Sequence, residues 1–291
     1  MTEMQSDDAA DLFRRAPTRY LDVGAGEVAC RSVGEGPDVV FVHGWPVSGA
    51  TWRYVLPGLV DNFRCHVLDL PGAGDSRFGA ATPISFARHV QSVRQVVDRL
   101  GCSDVAVVGH DSGGLIARHA MAGDPRLRAL ALVDSEQTGR LTWRFRSFLL
   151  ARHLPGFGAG LRAVLGSPGL RRHPLVLGGA FVDRKLLDGE FDEFFLAPLR
   201  RDPARLRAAV QLLRSFDVAD VRALSELHAR IEVPVGLVWG ERDPFFPVAR
   251  ARDMVATFPR ATLSVVSGAA LFPQEECPEA VVAALHEVLA G

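Results

Sequence analysis

The sequence predicts an α/β fold, with a mostly parallel central sheet covered by helices on both faces and a helical cap inserted into it. Short apolar runs alternate with segments of helical periodicity, and each run is apolar throughout, as in strands buried on both faces. This alternation stops over residues 137–228, where only helical patterns occur, and then resumes. The chain has 291 residues, 48% of them hydrophobic, which is enough for one large domain with an insertion.

The first half of the core follows an amino-terminal leader. Residues 1–16 are polar and acidic, and we expect them to be disordered. The runs at 20–23 and 27–33 flank a Gly-Ala-Gly turn and predict a hairpin. Ser85 is placed to cap a helix that Gly101 ends. The expected order is then strand 38–42, helix 51–59, strand 65–70, helix 85–100, strand 105–108, helix 115–121 and strand 130–133.

The cap insertion follows the last of these strands. Its aromatic side chains are expected mostly in helix packing, with a minority lining an apolar pocket between cap and sheet. Its helical patterns cover 141–154, 191–199, 202–216 and 218–229, and after it come strands at 233–239 and 262–266 and a helix at 278–289. The predicted division is a leader at 1–16, a core formed by 17–136 and 229–291, and a cap at 137–228.

Residues 109–114, Gly-His-Asp-Ser-Gly-Gly, have the pattern of a nucleophile elbow, a sharp turn between a strand and a helix. Side chains two positions either side of the apex would clash where the backbone reverses, and glycine avoids the clash. With Asp111 at the apex, both positions are glycine. With Ser112 at the apex, His110 would occupy a position that requires a small residue. Asp111 is therefore the predicted apex, and a carboxylate attacks alkyl carbon whereas a serine attacks acyl carbon.

Charge and cysteine content exclude several classes of function. The formal net charge of -1 gives no electrostatic reason to expect nucleic acid or an anionic membrane surface as a partner. The 4 cysteines are widely spaced without a Cys-x-x-Cys pair, so we expect reduced thiols and neither a disulfide nor a metal site. The sequence shows no secretory signal and no apolar run of membrane-spanning length. We expect a cytoplasmic protein that binds a small-molecule substrate without cofactor or metal, and its oligomeric state stays open.

Four motifs, in this order along the chain, resemble those of α/β-hydrolases of the epoxide hydrolase and haloalkane dehalogenase branch. They are His-Gly-Trp-Pro at 43–46, Asp-Leu-Pro-Gly-Ala-Gly-Asp-Ser at 69–76, the elbow at 109–114 and Gly-Glu-Arg-Asp at 240–243. The resemblance extends over nearly the whole chain after the leader. It implies that Asp111 is the nucleophile and that the backbone N–H groups of Trp45 and Ser112 form the oxyanion hole. It also places Asp243 at the acid that orients a catalytic histidine.

The resemblance further implies the surroundings of the site. His43 and His110 would support the oxyanion loop (residues 43–46) and the elbow on the side away from the substrate. Together with these two histidines, the residues expected at the substrate pocket are Trp143, Phe148, Leu271 and Phe272. The main departure from the family pattern lies in residues 268–273, Gly-Ala-Ala-Leu-Phe-Pro, because the family has its catalytic histidine where this chain has Leu271.

Leu271 removes the general base that would activate water against an ester on Asp111. General-base catalysis supplies roughly 10²–10⁴-fold in rate, or about 3–5 kcal/mol of barrier, so we expect alkylation without efficient turnover. Three other histidines lie in the insertion and are expected at the surface: His153, His173 and His228. The cap also lacks the tyrosines with which epoxide hydrolases of this branch protonate the ring oxygen. Ser112 stands where haloalkane dehalogenases have a halide-binding tryptophan, and Trp143 offers only part of that role.

Three hypotheses follow. In the first, a cofactor-free enzyme uses Asp111 as a general acid or base on a bulky apolar small molecule, such as a polyketide-like metabolite. The reaction would be a cyclisation, isomerisation, elimination or carbon–carbon bond formation, and burial under Leu271 would raise the pKa of Asp111. The second is an epoxide or alkyl halide hydrolase with a relocated base. The third is a non-catalytic ligand-binding protein on the same fold. Retention of Asp111 and Asp243 without the histidine favours the first.

Overall fold

A sheet of eight strands forms the core of the computed structural model, which describes residues 6–24 and 26–290. The strands are β1 (Arg19–Asp22), β2 (Glu27–Val33), β3 (Asp38–Val42), β4 (Arg64–Asp69), β5 (Val105–His110), β6 (Leu127–Val133), β7 (Val235–Gly240) and β8 (Ala261–Val266). They lie in the order β1-β2-β4-β3-β5-β6-β7-β8. The β1–β2 and β2–β4 pairs are antiparallel and the other neighbouring pairs are parallel. The predicted mostly parallel α/β sheet is therefore confirmed.

Helices connect the strands and cover the sheet. Their bounds are α1 (Ser6–Arg14), α2 (Phe86–Leu100), α3 (Ser112–Met121), α4 (Trp143–Ala151), α5 (Phe157–Gly166), α6 (Pro168–Arg171), α7 (Ala197–Arg201), α8 (Pro203–Ser215), α9 (Val218–Arg222), α10 (Leu224–Ala229), α11 (Val248–Val255), α12 (Pro273–Glu276) and α13 (Pro278–Leu289). Helix α3 packs on β5 and on α2, and α13 packs on β6 and β7. These contacts bury β5 and β7 along their whole length, as their uniformly apolar sequences require.

Helix α2 forms with the boundaries that its sequence predicts. Ser85 Oγ accepts a hydrogen bond from Arg88 N at 3.3 Å, which satisfies one of the free N–H groups of the first turn. Gly101 ends the helix at φ 73°, a left-handed conformation that glycine adopts without strain. Every third or fourth residue between these caps is buried, for example Val93 and Val97.

The segment between β6 and β7, where the sequence predicts the cap, contains only helices and turns. Two of its helices, α5 and α6, lie in the stretch rich in glycine and proline for which no helix was predicted. The pattern at 218–229 is divided into α9 and α10, and a π-helical turn at Asp192–Leu196 precedes α7. Short 3₁₀ turns occupy Leu177–Ala180 and Arg184–Leu187.

The prediction of a disordered leader is wrong for residues 6–14, which form α1; residues 1–5 lie outside the described part. Phe13 is buried and Arg31 lies over its ring at 5.1 Å. Arg31 also donates to the carbonyls of Leu12 and Arg15, at 3.1 and 2.9 Å. Helix α1 is thus held by an apolar face and a buried guanidinium, which its polar average composition conceals.

Two further predictions differ from the structure. The helix expected at 51–59 is replaced by two 3₁₀ turns, Gly49–Trp52 and Leu56–Gly58, because proline at 57 and glycine at 58 interrupt a regular helix. Helix α11 was not predicted.

None of the described helices combines the length and apolar character that crossing a bilayer requires. All four cysteines are free thiols, and three of them are buried.

Candidate active site

Asp111 occupies the apex of the turn between β5 and α3. Its backbone has φ 50° and ψ -132°, a conformation that residues with a side chain rarely adopt. The neighbouring strand holds this turn, because Asp111 N donates to Val133 O at 3.1 Å and to Asp134 O at 3.0 Å. Asp111 O accepts from Ser135 Oγ at 2.8 Å. The side chain of Asp111 therefore projects from a strained backbone that is fixed on both sides.

Close backbone approaches explain the glycines around this turn. A Cβ atom on Gly113 would lie 2.5 Å from His43 O, and one on Gly44 would lie 2.5 Å from Asp111 Cβ. Neither neighbour can move away without displacing a strand end. The loop after β3 and the elbow are consequently packed backbone to backbone, which brings Trp45 N to the Asp111 carboxylate.

The Asp111 carboxylate is bound by the groups predicted to form the oxyanion hole. Trp45 N donates to Asp111 Oδ2 at 2.8 Å, and Ser112 Oγ donates to the same oxygen at 3.3 Å. The Ser112 backbone N–H, the second predicted donor, helps to lower the pKa of this carboxylate. Burial raises the pKa of Asp111 to about 6, outweighing these donors, which lower it. Asp111 is therefore mostly ionised at neutral pH, yet close to the range where a carboxyl group accepts and returns protons.

The second predicted acid, Asp243, contacts another carboxyl group instead of a histidine. Asp243 Oδ1 accepts from Phe245 N at 2.7 Å and from Phe246 N at 3.1 Å. Its Oδ2 has no hydrogen-bond partner among the described residues, and the Asp134 carboxyl group is close enough to influence the pKa of Asp243. Two carboxyl groups form a hydrogen bond only if one of them is protonated. Burial, followed by the charge of Asp243, raises the pKa of Asp134 well above its usual range, so Asp134 holds the proton.

The Asp134–Asp243 pair joins the ends of two neighbouring strands. Asp134 follows β6 at φ 34°, and its oxygens accept from Gly240 N at 3.1 and 2.9 Å at the end of β7. Burial raises the pKa of Asp243 to about 6. At neutral pH the pair therefore contains one carboxylic acid and one carboxylate that is mostly ionised.

The loop after β8 places Leu271 where the resemblance expects the catalytic histidine. Leu271 N donates to Ala180 O at 3.1 Å, in the cap segment, and Leu271 O accepts from His110 Nε2 at 2.9 Å. The side chain is 8% exposed. Within residues 6–24 and 26–290, no imidazole hydrogen bonds to Asp111 or Asp243. The backbone of Leu271 thus joins the elbow strand to the cap, and its buried apolar side chain supplies no proton acceptor.

His43 and His110 interact with backbone groups around the site. His43 Nδ1 donates to Gly44 O at 2.9 Å, and its Nε2 accepts from Leu70 N at 2.9 Å, so both ring nitrogens are used. Burial lowers the pKa of His110 to about 4, and its ring lies 4.8 Å from that of Phe272. Both imidazoles are thus neutral and hold the loops that carry the site.

A further buried carboxyl group, Glu136, lies beside Asp111. Ser135 Oγ lies 2.8 Å from Asp111 O and 3.1 Å from Glu136 Oε2, although it has one hydrogen to donate. A protonated Glu136 satisfies the second contact by donating to Ser135 Oγ. Burial, followed by the charge of Asp111, raises the pKa of Glu136 to about 8, which agrees with a neutral side chain at pH 7.

Arg118 on α3 is the buried cation next to these groups. It donates to Gly114 O at 3.1 Å, to Ser135 Oγ at 2.7 Å and to Glu136 O at 2.8 Å. Arg118 also donates to His228 Nε2 at 3.2 Å. The prediction that His228 lies at the surface is wrong, because α10 turns this side chain inward to accept from Arg118. Burial lowers the pKa of His228 to about 2, so it is neutral.

Two aromatic residues were predicted at the pocket, and one of them lies elsewhere. Trp143 is 66% exposed, so its placement at the pocket is wrong. Helix α4 buries the face that carries Phe145 and Leu149, and Trp143 lies on the opposite face. The half-buried Phe148 packs against Trp45 of the oxyanion loop, with ring centroids 5.2 Å apart.

A small cavity lies between the cap and the oxyanion loop. Its volume is about 40 Å³, which holds a few water molecules. The wall includes His43 and Trp45 from the core and Phe195, Arg205 and Leu212 from the cap segment. Asp111 is not among the lining residues. A bulky substrate therefore requires the cap to move before it can reach Asp111, a requirement that the sequence did not indicate.

One group of three residues has side chains of the types that bind metals. Asp38, His66 and Cys102 lie at the amino-terminal edge of the parallel strands, opposite Asp111, with ligand atoms within 4.8 Å of one another. His66 is already hydrogen bonded through both nitrogens, to Asp38 Oδ1 and to Ser32 Oγ, each at 2.8 Å. Hydrogen bonding alone explains this group, and the chemistry at Asp111 does not involve it.

Sequence reasoning missed Asp134, Glu136 and Arg118. A usable signal was present, because Asp134 and Glu136 directly follow the strand next to the elbow strand. The carboxyl ends of neighbouring parallel strands meet at one edge of a sheet, so these acids had to lie near Asp111. Arg118 gave no such signal, since an arginine within a helix is usually at the surface.

Comparison with known proteins agrees with this architecture. A family model described as alpha/beta hydrolase fold matches residues 37–278. The chain therefore belongs to the alpha/beta hydrolase family, and the resemblance seen in its motifs is confirmed at the level of the superfamily.

Named relatives include enzymes of several activities. A pimeloyl-[acyl-carrier protein] methyl ester esterase of Chromobacterium violaceum is 32% identical over 246 residues, covering 80% of this chain and 86% of the relative. A solved structure described as an ancestral haloalkane dehalogenase is 25% identical, with a TM-score of 0.76 and coverage of 94% of this chain and 100% of that one. An epoxide hydrolase, 21% identical with a TM-score of 0.78, covers 94% of this chain and 98% of its own and shows the fold alone.

Proposed function

We propose that this α/β-hydrolase-fold enzyme uses Asp111 as an acid–base group in a cofactor-free, non-hydrolytic reaction of a bulky apolar small molecule. Candidate reactions are a cyclisation, an isomerisation or the formation of a carbon–carbon bond. One observation supports the proposal: the Asp111 carboxylate is bound by Trp45 N, and no imidazole of the described residues hydrogen bonds to it, as expected if Leu271 stands in the place of the family histidine.

The surrounding groups suit proton transfer. Asp111, with a pKa of about 6, is ionised at neutral pH, and a base whose pKa lies near the working pH suits abstraction of a proton from a C–H group that the substrate activates. In such a step the C–H electron pair moves into the substrate carbonyl, and the proton is later returned to a different carbon. Glu136, with a pKa of about 8, is a neutral acid nearby that keeps a second negative charge away from Asp111.

Hydrolysis remains the second candidate, and the relatives' names favour it. In this reaction Asp111 attacks an alkyl carbon, the carbon–halogen or carbon–oxygen bond breaks, and an ester forms on Asp111. Water must then be deprotonated to release the product. The buried imidazoles that hold the loops of the site are poor bases for that step, since burial lowers the pKa of His110 to about 4 and that of His43 below its usual value. A relocated base would have to come from a cap rearrangement.

Proton transfer is tested by isotope exchange. A panel of aryl ketones is incubated with the enzyme in D₂O, and loss of the α-proton signal is followed by NMR. We expect exchange that falls roughly 10²–10⁴-fold in Asp111→Asn, because general-base catalysis contributes that much. Asp253→Asn, an exposed aspartate on α11, is the matched control and should exchange at the wild-type rate. Exchange that is unchanged in Asp111→Asn would refute the assignment of the base.

Hydrolysis is tested in parallel with haloalkanes and epoxides. Steady release of halide or diol by the wild type would establish the second candidate and overturn the first. A single adduct on the peptide containing Asp111, detected by mass spectrometry and never recycled, would show that the carboxylate attacks but that water is not activated. Leu271→His should then gain turnover. Ligands that bind tightly and emerge unchanged in both assays would instead indicate a binding protein.

A further inference from the structure

The first half of the cap segment has an unusually positive net charge. Residues 137–182 contain seven arginines, no lysine and no aspartate or glutamate. The chain as a whole has a net charge of -1, so the remaining residues carry the compensating negative charge. The net value therefore conceals a basic segment and an acidic remainder, and it does not describe the surface that the cap presents.

The same segment carries most of the exposed large apolar side chains. Among the described residues these are Trp143, Leu150, Leu154, Leu170, Leu175 and Val182 in the cap and Val265 outside it. Trp143 is 66% exposed and Leu150 is 70% exposed. Single exposed leucines are common on soluble proteins, but their concentration in one segment marks an interaction surface.

Helix α4 arranges these residues on one face. Trp143, Ser147 and Leu150 are spaced by three or four residues on α4 and lie on the side away from the core, and Leu154 is exposed in the turn that follows the helix. The opposite side of the helix is buried through Phe145 and Leu149. Helix α4 is thus apolar on both sides, and only one side is covered by the protein itself.

One of the other exposed apolar residues lies near this face. The Arg144 side chain bonds to Pro174 O, which places Leu175 beside the start of α4. Arg140, Arg146 and Arg162 are exposed and form no ion pair with any described residue. Arg171 and Arg172 are neutralised by Asp188, which follows the basic segment, so the free positive charge lies near α4 and α5.

We propose that this surface, the exposed side of α4 with the neighbouring Leu175 and the unpaired arginines at 140, 146 and 162, docks on an anionic phospholipid bilayer. Guanidinium groups bind lipid phosphates, and tryptophan and leucine side chains enter the boundary between headgroups and acyl chains. A purely acidic polypeptide would match the arginines but would make no apolar contact with the exposed tryptophan and leucines, whereas a bilayer offers both anionic headgroups and acyl chains. Because no described helix can cross a bilayer, the protein lies on the surface.

The acidic remainder of the molecule gives this contact a direction. An anionic surface attracts the basic cap and repels the rest of the chain, so the cap faces the lipid. An apolar compound dissolved in the bilayer would then meet the cap before the core. The docking surface is separate from Asp111, so its test does not depend on the proposed reaction.

Vesicle sedimentation with the full chain tests the proposal. The probes are vesicles of phosphatidylcholine alone and of phosphatidylcholine mixed with phosphatidylglycerol. We expect binding only to the mixed vesicles, weakened by salt. A variant with Arg140, Arg146 and Arg162 changed to glutamine should bind roughly 100-fold more weakly, since each basic residue near an anionic surface contributes about fivefold.

A second variant tests the apolar part. Trp143→Ser with Leu150→Ser should lower vesicle affinity at least about tenfold, whereas Val265→Ser, an exposed apolar residue on β8, should not. Trp52 and Trp239 are fully buried and Trp45 is half-buried, so a blue shift of tryptophan emission on mixed vesicles reports Trp143. The shift should disappear in Trp143→Phe. Circular dichroism confirms that each variant is folded.

Three results would overturn the proposal. Equal binding to both vesicle types would show adsorption without charge recognition. Absence of vesicle binding together with a concentration-dependent dimer in light scattering would assign this face to a second copy of the chain. Equally tight binding of poly-glutamate, abolished by the arginine substitutions but not by Trp143→Ser with Leu150→Ser, would assign it to an acidic polypeptide.

Discussion

Replacing Glu136 with glutamine should stabilise the protein in a pH-dependent way. Glu136 is 1% exposed, and its pKa is raised from 4.5 to about 8. The folded state therefore binds a proton that the unfolded state releases, so stability falls as pH rises from about 4.5 to about 8. At pH 7 this cost is about 2.5 pH units at 1.36 kcal/mol each, or about 3 kcal/mol. Glutamine avoids that cost, and its amide can still donate to Ser135 Oγ.

Equilibrium unfolding in urea at several pH values measures this effect. Glu136→Gln should raise the free energy of unfolding by up to about 3 kcal/mol at pH 7 and leave it unchanged at pH 4, where glutamate is protonated in both states. Glu35→Gln, at an exposed position, is the control and should shift neither value. Parallel stability profiles for Glu136→Gln and the wild type between pH 5 and pH 8 would refute the protonation state assigned to Glu136.

Three further perturbations test other parts of the structure. Arg53→Met should lower the free energy of unfolding in urea by about 3–5 kcal/mol, because it leaves the buried Glu275 without the guanidinium from which both of its oxygens accept at 2.8 Å. The control Arg77→Met, which breaks an exposed ion pair, should lower it by less than about 1 kcal/mol. Gly109→Ala should destabilise the folded protein by about 3 kcal/mol or more, since the new Cβ would lie 2.6 Å from the backbone of α3. A thermal unfolding midpoint equal to that of the wild type would show that the elbow accommodates the added methyl group. With Asp111 as base, kcat/KM for proton exchange should fall about tenfold per pH unit below pH 6, and a flat profile would assign the base elsewhere.

The sequence predicted the fold wherever one local signal decided the outcome. Uniformly apolar runs gave β3, β5 and β7, and Ser85 with Gly101 gave the ends of α2. The elbow was found because only glycine tolerates the approach of the loop after β3, a requirement visible in the residues themselves.

Features that depend on contacts between distant residues could not be predicted from the sequence. Trp143 and Phe148 lie on the same helix, and periodicity alone does not say which face turns inward. The Asp134–Asp243 pair joins residues 109 positions apart, and its shared proton depends on burial that no local pattern reveals. Helix α1 forms because it packs on the core and is bound by Arg31, although its composition is that of a disordered tail.

Helix α1 also has a consequence for how the chain reaches its native state. Arg14 donates to Glu190 Oε1 at 2.8 Å and to Glu193 Oε1 at 3.0 Å, residues that follow it by 176 and 179 positions. During synthesis this helix is made before the sheet, yet its acceptors emerge only after most of the sheet has been translated. Such a contact closes one of the longest loops available to the chain, and contacts of this kind form late and slowly. The docking of α1 on the cap is therefore expected among the last steps of folding, after the sheet and the cap helices have formed.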